Sequence, residues 1–458
     1  LETGYSLFAQ KLGVMQSAQM GNEQLLQERI RLGQPVDFTP FSRHIDYPFQ
    51  QITHHNVYFK AFFDHEKIGH FAFQSTFQQD DRRENRIRRL NHSDIPTVSL
   101  HLNSLQNSLV WNKGYQHWKS EAGAQLLITD NTNERGTGVV PIIPNYTEVA
   151  FGLYALQKYT ADRWGMEAGV RFDGQQTKAD GYDWTGRRYG GKRDFANFTY
   201  SLGGHYHINK QLKLTSHFGV AWRAPHVYEL YSNGNELSSG IFVKGDSTLL
   251  SEQSYKWISS LKYTSKYFDV QLDGYLQWIN NYIFDQPTGR NITVVSGAYP
   301  VFQYRQTRAF FQGVDLDAHV RPVSSLDYHL VTAMIWAREM PSHAYLPYIP
   351  SFRLTHSLTW SLPFFKAFSP KLGLTHRFVA KQTRFNPATD LIANSPEAYH
   401  LMGFDVSFSV PMREGQSLRV GLMGDNILNR EYKEYTNRSR YYAHDMGRDV
   451  RCMITWNF

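Results

Sequence analysis

Residues 351–362 read SFRLTHSLTWSL, and the string separates by parity. From Phe352 every second residue is Phe, Leu, His, Leu, Trp and Leu, while the residues between are Ser, Arg, Thr, Ser, Thr and Ser. A β-strand points successive side chains to opposite faces, so this stretch has one greasy, aromatic face and one small, polar face. Its length constrains the fold further. Strands of globular proteins average about five or six residues, whereas a tilted strand that crosses a bilayer needs about 9–11.

The pattern recurs. In 166–173, Met166, Ala168, Val170 and Phe172 alternate with Glu167, Gly169, Arg171 and Asp173. In 212–222, Leu212, Leu214, Phe218, Val220 and Trp222 oppose Lys213, Thr215, His217 and Gly219. In 268–278, Phe268, Val270, Leu272, Leu276 and Trp278 oppose Asp269, Gln271, Asp273 and Gln277. In 404–410, Phe404, Val406, Phe408 and Val410 oppose Asp405, Ser407 and Ser409. The last residues set Val450, Cys452, Ile454, Trp456 and Phe458 against Arg451, Met453, Thr455 and Asn457. A soluble sandwich also alternates, but does not oppose Lys, Asp and Gln so consistently to a face bearing Trp and Phe near its ends. Aromatics make up 15% of the 458 residues, with 28 Tyr, 30 Phe and 10 Trp, which suits girdles at two membrane interfaces. No run approaches the ~18 consecutive apolar residues of a transmembrane helix. A barrel wall needs none, because only alternate residues face lipid, and a mean hydropathy of -0.48 is compatible with it.

The connections alternate as well. Short ones fall at 64–69, 160–164, 209–211, 264–267 and 413–416; long ones at 85–96, 181–194, 231–250, 287–300 and 385–398. Short turns on the periplasmic side and long loops outside is the plan of an outer-membrane barrel. The ten-residue alternation signature gives about 18 strands between Tyr5 and Phe458. The expectation is an all-β, transmembrane antiparallel β-barrel without domain linker, low-complexity tract or tandem repeat.

Other classes find less support. The single Cys452 rules out an internal disulfide framework. The net charge of +7 is spread over strands and loops, which favours a basic lumen and loops for an anionic ligand or lipid headgroups over nucleic acid; the plainer alternative is a solvated polar surface. No paired carboxylates, nucleophile elbow or Ser-His-Asp arrangement stands out, so no enzyme activity is expected, and no cofactor. No H-x-x-x-H or Cys/His zinc spacing is present, so no metal site is expected. Leu1 is not preceded by a basic and apolar leader, so the expectation is a processed chain or a fragment.

Four stretches go beyond a generic barrel. WRAPHVYELY (222–231) resembles the Phe/Trp-Arg-Ala-Pro box of TonB-dependent outer-membrane receptors. GDSTLLSEQS (245–254) is similar to the Asn-Pro-x-Leu-x-x-Glu stretch of that family, with Asn-Pro replaced and Glu252 kept. GDNILNREY (424–432) is similar to its Asn-Leu-Phe-Asp-x-x-Tyr, and GRDVRCMITWNF (447–458) to its closing strand. EAGVRFD (167–173) is a weaker match, and GAYPVFQYRQTRAFFQGVDL (297–316) is similar in particular to receptors of the Bacteroidetes type. Order and spacing agree over about the last two-thirds of the chain. Such receptors carry an N-terminal plug and a TonB-contact segment before a barrel of about 22 strands. Neither segment is recognisable, so the resemblance implies that residues 1–458 are the C-terminal portion of the barrel, starting near the fifth strand, with the plug in another chain or missing from this one.

Candidate ligand- or plug-contacting residues follow. Arg223 falls in lumen register and would meet a plug carboxylate or an anionic ligand, or form a structural lumen salt bridge. His226 and Tyr228 follow it in the same box. Arg82 and Arg83 open the basic run RRENRIRR (82–89) leading into an outer loop, suited to lipopolysaccharide phosphates or an anionic substrate, or simply solvated. Trp184, Arg187 and Arg188, with Lys192 and Arg193, lie in a Gly-rich loop at 181–194. Trp184, Tyr189, Trp336, Tyr345, Tyr348 and residues 41–50 would line a vestibule or serve as girdle aromatics. His54, His55, His65 and His70 fall in one hairpin and would be haem or metal ligands or plain hydrogen-bonding groups.

The resemblance implies an active-transport receptor that takes a scarce substrate at its outer loops and imports it through the TonB–ExbB–ExbD complex, acting on a plug. It also admits a surface lipoprotein lid. A ferric siderophore or other iron complex is the favoured cargo, on electrostatic grounds, with haem second. The alternatives are a passive porin of about 18 strands and an outer-membrane lipase or protease, against which the missing catalytic constellation argues.

Overall fold

A computed structural model describes residues 1–15, 21–35, 42–88, 91–183, 185–236, 238–362, 368–412 and 415–458. The strands in chain order are β1 (Glu2–Gly13), β2 (Phe49–His65), β3 (Gly69–Asn85), β4 (Val98–Tyr115), β5 (Trp118–Asn133), β6 (Asn145–Thr160) and β7 (Trp164–Tyr182). They continue with β8 (Arg188–His207), β9 (Leu212–Arg223), β10 (Asn233–Glu236), β11 (Ile241–Lys244), β12 (Glu252–Thr264), β13 (Phe268–Val294) and β14 (Gly297–Val323). The last are β15 (Leu326–Glu339), β16 (Arg353–Ser361), β17 (Lys371–Val379), β18 (Tyr399–Pro411), β19 (Ser417–Asp425) and β20 (Asp449–Asn457). Among the described residues two α-helices interrupt them, α1 (Glu23–Leu32) and α2 (Val227–Tyr231). The described residues thus hold 20 strands where the sequence pattern gives about 18. The surplus is β10 and β11, four residues each and too short to show an alternation.

The chain divides into two compact units, residues 1–204, 218–255 and 279–309, and residues 205–217, 256–278 and 310–458. In the first, β1 to β7 pair antiparallel in succession. In the second, β15 to β20 do the same. The hairpin β10–β11 is antiparallel, and β11 then runs parallel to residues 301–303 of β14.

The alternation has the energetic meaning expected of a bilayer wall. In the first unit Leu153 stands opposite Phe172, and the two are 55% and 43% exposed. In the second, Leu358 pairs with Leu374 at 42% and 49% exposure, and Trp360 with Leu372 at 45% and 39%. Apolar faces this large are untenable in water and natural against lipid. The opposite face carries Asp327, His329, Ser357, Thr359 and Thr375.

His356, the odd member of the opening pattern, sits on the apolar face. It starts a chain of rings across three strands, His356 Nε2 to His376 Nδ1 at 2.8 Å and His376 Nε2 to His400 Nδ1 at 3.0 Å. A neutral imidazole has one donor and one acceptor, so a row of them answers its own polar needs between Leu354, Leu358 and Phe378.

Several expected loops are instead strand. The connection placed at 287–300 is the tip of a hairpin in which β13 and β14 reach 27 residues each. The β-branched and aromatic composition of NITVVSGAYPVF (291–302) favours extended backbone over a free loop. Within the loop placed at 181–194, β7 runs to Tyr182 and β8 starts at Arg188, because Gly190 and Gly191 take φ of 119° and 143° inside β8, where side-chain-bearing residues would be strained. Helix α1 has no counterpart in the sequence reading. Asn22 caps it by accepting from Leu25 N, and Gly33 ends it with φ 61°. Only Leu26 of its face is buried, so its apolar signal is faint.

The face assignment generates a direct test. Leu358→Arg should destabilise the chain in vesicles by about 2–4 kcal/mol, because it puts a charge on the lipid face. Thr359→Arg, one residue on and opposite Asp327, should change stability by less than about 0.5 kcal/mol. Urea unfolding in lipid vesicles reads both.

Candidate functional site

The segment 222–231 folds as its residues dictate. Pro225 has no N–H for a ladder, so pairing stops there and the chain turns into α2. His226 caps the helix. Its Nδ1 accepts from Tyr228 N at 3.1 Å, while Glu229 Oε2 accepts from His226 N at 2.8 Å, a reciprocal capping box. Val227, Leu230 and Tyr231 are buried with Ile143, Tyr146, Leu249 and Ile283.

Arg223 is the tie. Its Nη1 and Nη2 donate to the two oxygens of Glu229 at 2.7 and 2.9 Å, and its Nε donates to Glu252 at 2.7 Å. The other oxygen of Glu252 accepts from Ile283 N at 2.5 Å. Two motifs 29 residues apart therefore meet through one guanidinium. Asp246 N donates to Glu229 O and Gly245 N to Ser232 O, at 2.9 and 2.7 Å. A Cβ on Gly245 would lie 2.6 Å from the backbone of Leu230 and Tyr231, so only glycine fits there.

Beside this tie is a cavity of about 770 Å³, in the size range of small-ligand sites, with polar lining from Gln125, Glu148, Arg171, Asp173, Arg223 and His226. Arg171 Nε donates to both oxygens of Asp173 at 2.8 and 2.9 Å, and its Nη2 to Gln125 at 3.0 Å. Trp222 Nε1 donates to Asp173 at 3.0 Å. The sequence pattern sets Trp222 on the apolar face; the structure turns it to the polar one, where its N–H has a carboxylate. Both arginines are held by carboxylates, so the cavity offers directed hydrogen bonds rather than surplus positive charge.

Atoms packed around the part-exposed His226 ring hold its pKa below the ordinary histidine value; Glu229 pulls it up and Arg223 pushes it down. Nδ1 accepts in the cap, so the cap needs that nitrogen unprotonated.

The other candidates are dispersed. Tyr228 packs edge-on to Tyr304, ring centroids 6.1 Å apart. Arg82 and Arg83 lie in β3, bridging to Glu84 at 2.5 Å and to Glu134 at 3.7 Å. Arg188 lies in β8 rather than a loop, its Nε 2.6 Å from Asp180; Arg187 is 82% exposed and 3.4 Å from Asp183. Trp184 lies outside the described residues, as do Phe41, Arg89 and the turn residues 413–414. The histidines of the first hairpin do not form a ligand set. His54 pairs with Asp80, His55 with Tyr5 and His70 with Asp64, while His65 Nδ1 accepts from Lys67 N.

Sequence reasoning missed two assemblies in the second unit. Arg440, fully buried, donates to Asp390 at 2.5 and 3.3 Å and lies over the rings of Tyr441 and Tyr435 at 4.3 and 5.0 Å. Tyr441 donates to Asp390 at 2.9 Å and meets the Tyr348 hydroxyl at 3.1 Å. The vestibule aromatic Tyr348 is thus part of a loop lock. The other is the Asp317, His319 and His329 group, whose possible ligand atoms all lie within 4.8 Å of one another. Its sequence trace was Asp-x-His, the two-residue spacing of a strand face.

Comparison with known proteins adds the following. Residues 16–427 match the family model described as TonB dependent receptor-like, beta-barrel. The TonB-dependent heme receptor A of Haemophilus influenzae (strain 86-028NP) is 22% identical over 356 residues, 69% of this chain and 46% of the relative. Among solved structures, the copper transporter OprC superposes with a TM-score of 0.71 at 14% identity, over 87% of this chain and 64% of that one. The FrpB iron transporter from Neisseria meningitidis (F3-3 variant) gives 0.65 at 13%, over 89% and 63%. The ferric-catecholate import receptor Fiu from K12 E. coli gives 0.68 at 13%, over 99% and 72%. The chain spans about half the length of the curated relative.

Two outcomes test the tie. Arg223→Ala leaves Glu229 and Glu252 without their shared cation and should cost about 1–3 kcal/mol, with protease cutting of residues 232–251 accelerated and the strand pairs intact by circular dichroism. For His226 the unfolded chain takes up the proton first, so this loop should lose stability as pH falls below about 6.5. Protease cutting of the loop should be faster at pH 5.5 than at pH 7.5, and His226→Asn, which keeps a cap acceptor, should reduce the difference.

Proposed function

This chain belongs to the TonB-dependent receptor-like β-barrel family of the Gram-negative outer membrane, and on that premise we propose that it is the barrel portion of an active importer of an iron complex. The observation that carries the reading is the Arg223–Glu229–Glu252 tie beside the cavity. It pins a loop segment and the start of a strand above a polar wall, which is where an importer must hold cargo and sense it. Members of the family are transporters and receptors, which fits a chain that is not an enzyme.

Relatives named for heme, iron and a ferric catecholate support iron as the cargo element, and the excess of Lys and Arg is what puts an anionic ferric chelate ahead of haem. The cavity arginines are paired and partly enclosed, so recognition of an anionic chelate falls to more exposed guanidinium groups such as Arg187 and Arg188, which pair with Asp183 and Asp180 yet stay 82% and 70% exposed. Coupling would run through TonB and its ExbB–ExbD motor to a plug supplied by residues other than these, and lipopolysaccharide and a surface lipoprotein are compatible partners for the outer loops.

Deletion of the gene tests the cargo. Growth on one or more ferric chelates as sole iron source should fail in the deletion strain and return on complementation. Failure on haem alone would shift the cargo to haem. Unimpaired growth on every chelate and on haem would refute an iron cargo.

A further inference from the structure

Asp317 and His319 are two residues apart on β14 and so share its polar face, while His329 lies on β15 beyond a two-residue turn at 324–325. His329 Nε2 is 3.1 Å from Asp317 Oδ1, and His319 Nε2 is 4.0 Å from the same oxygen. The two imidazoles stack at 3.9 Å with planes 7° apart. His319 Nδ1 is 2.8 Å from Asp327 Oδ1, and Arg321 Nε donates to the other oxygen of Asp327 at 2.6 Å.

From this geometry we propose a binding site for a divalent first-row transition cation, Zn²⁺ or Cu²⁺, formed by His319 Nε2, His329 Nε2 and a carboxylate oxygen of Asp317. Ligand atoms about 2.0–2.2 Å from a tetrahedral zinc lie about 3.3 Å from one another, so the spacings of 3.1 and 4.0 Å to Asp317 need adjustments of under an ångström, and the stacked imidazoles must turn about their side-chain torsions for both Nε2 lone pairs to converge on the cation. Imidazole nitrogen with one carboxylate oxygen suits Zn²⁺ and Cu²⁺ and disfavours Mg²⁺ and Ca²⁺. Asp327 accepts the Nδ1 proton of His319, which fixes the tautomer that leaves Nε2 free to ligate, the outer-shell arrangement of many zinc sites. Arg321 is neutralised by that same carboxylate, which limits its repulsion of a cation. The group is open to solvent, with side chains 31–55% exposed, so a water can complete the coordination. A bound cation would staple the short-turn end of the β14–β15 hairpin. The site stands independently of the transported substrate.

Titration calorimetry of the detergent-solubilised chain with ZnCl₂ and with CuCl₂ at pH 7.5 tests it. One equivalent should bind, with Asp327→Asn weakening binding about 10- to 100-fold and His319→Ala or His329→Ala abolishing it. Electron paramagnetic resonance of the Cu²⁺-loaded native chain should show two coordinated nitrogens, a signal that His329→Ala should lose. Variants are checked for folding by heat-modifiable gel migration, and the native-chain spectrum decides if a variant fails that check. No binding at about 100 μM metal, binding unchanged in the histidine variants, or a native spectrum without two nitrogens would overturn the site.

Discussion

In a hydrocarbon medium no water satisfies backbone N–H and C=O groups, and everything else in this chain follows from that requirement. Every membrane-crossing residue must find partners in a neighbouring strand. The ladder from Phe49↔Asn85 to His65↔Gly69 does so residue by residue, and its neighbours repeat it. Once backbone is committed to strands, side-chain period is fixed at two, and the bilayer sorts the faces. Leu358 and Leu374 stay exposed at 42% and 49% because lipid is their solvent. Even the polar exceptions obey: the three imidazoles on that face bond to one another.

Where strands leave the wall, charge takes over from pattern. The loop end of β9 is ordered by Arg223 holding two carboxylates, and the loops around Asp390 and Arg440 by a buried ion pair walled by tyrosine rings. Such pairs contribute less to net stability than their geometry suggests, because both partners lose hydration. What they supply is a single arrangement of long segments, beside small apolar clusters such as Val227, Leu230 and Leu249.

The wall was legible in the sequence because alternation is a local signal: the faces of β7 and β16 fall where parity puts them, and Cys452, Ile454 and Trp456 of β20 stand opposite Leu422, Val420 and Leu418. The family boxes were legible as strings, but not that Arg223 and Glu252, 29 residues apart, are partners. Misreadings have local causes. Glycines at 190 and 191 and the Pro–Thr–Gly at 287–289 look like loop punctuation, yet both stretches are strand, since long hairpins extend beyond the bilayer. Trp222 defied parity because its N–H outweighed its ring. The Asp317–His319–His329 group has neither helical nor zinc-finger spacing, because its third member comes from the next strand.

Energised import, the function proposed here, is tested by uptake of radiolabelled ferric chelate into cells carrying the intact receptor, with and without a protonophore. Saturable uptake that collapses when the proton-motive force is dissipated is expected. Uptake that persists unchanged and rises linearly with concentration would mean a passive channel and contradict it.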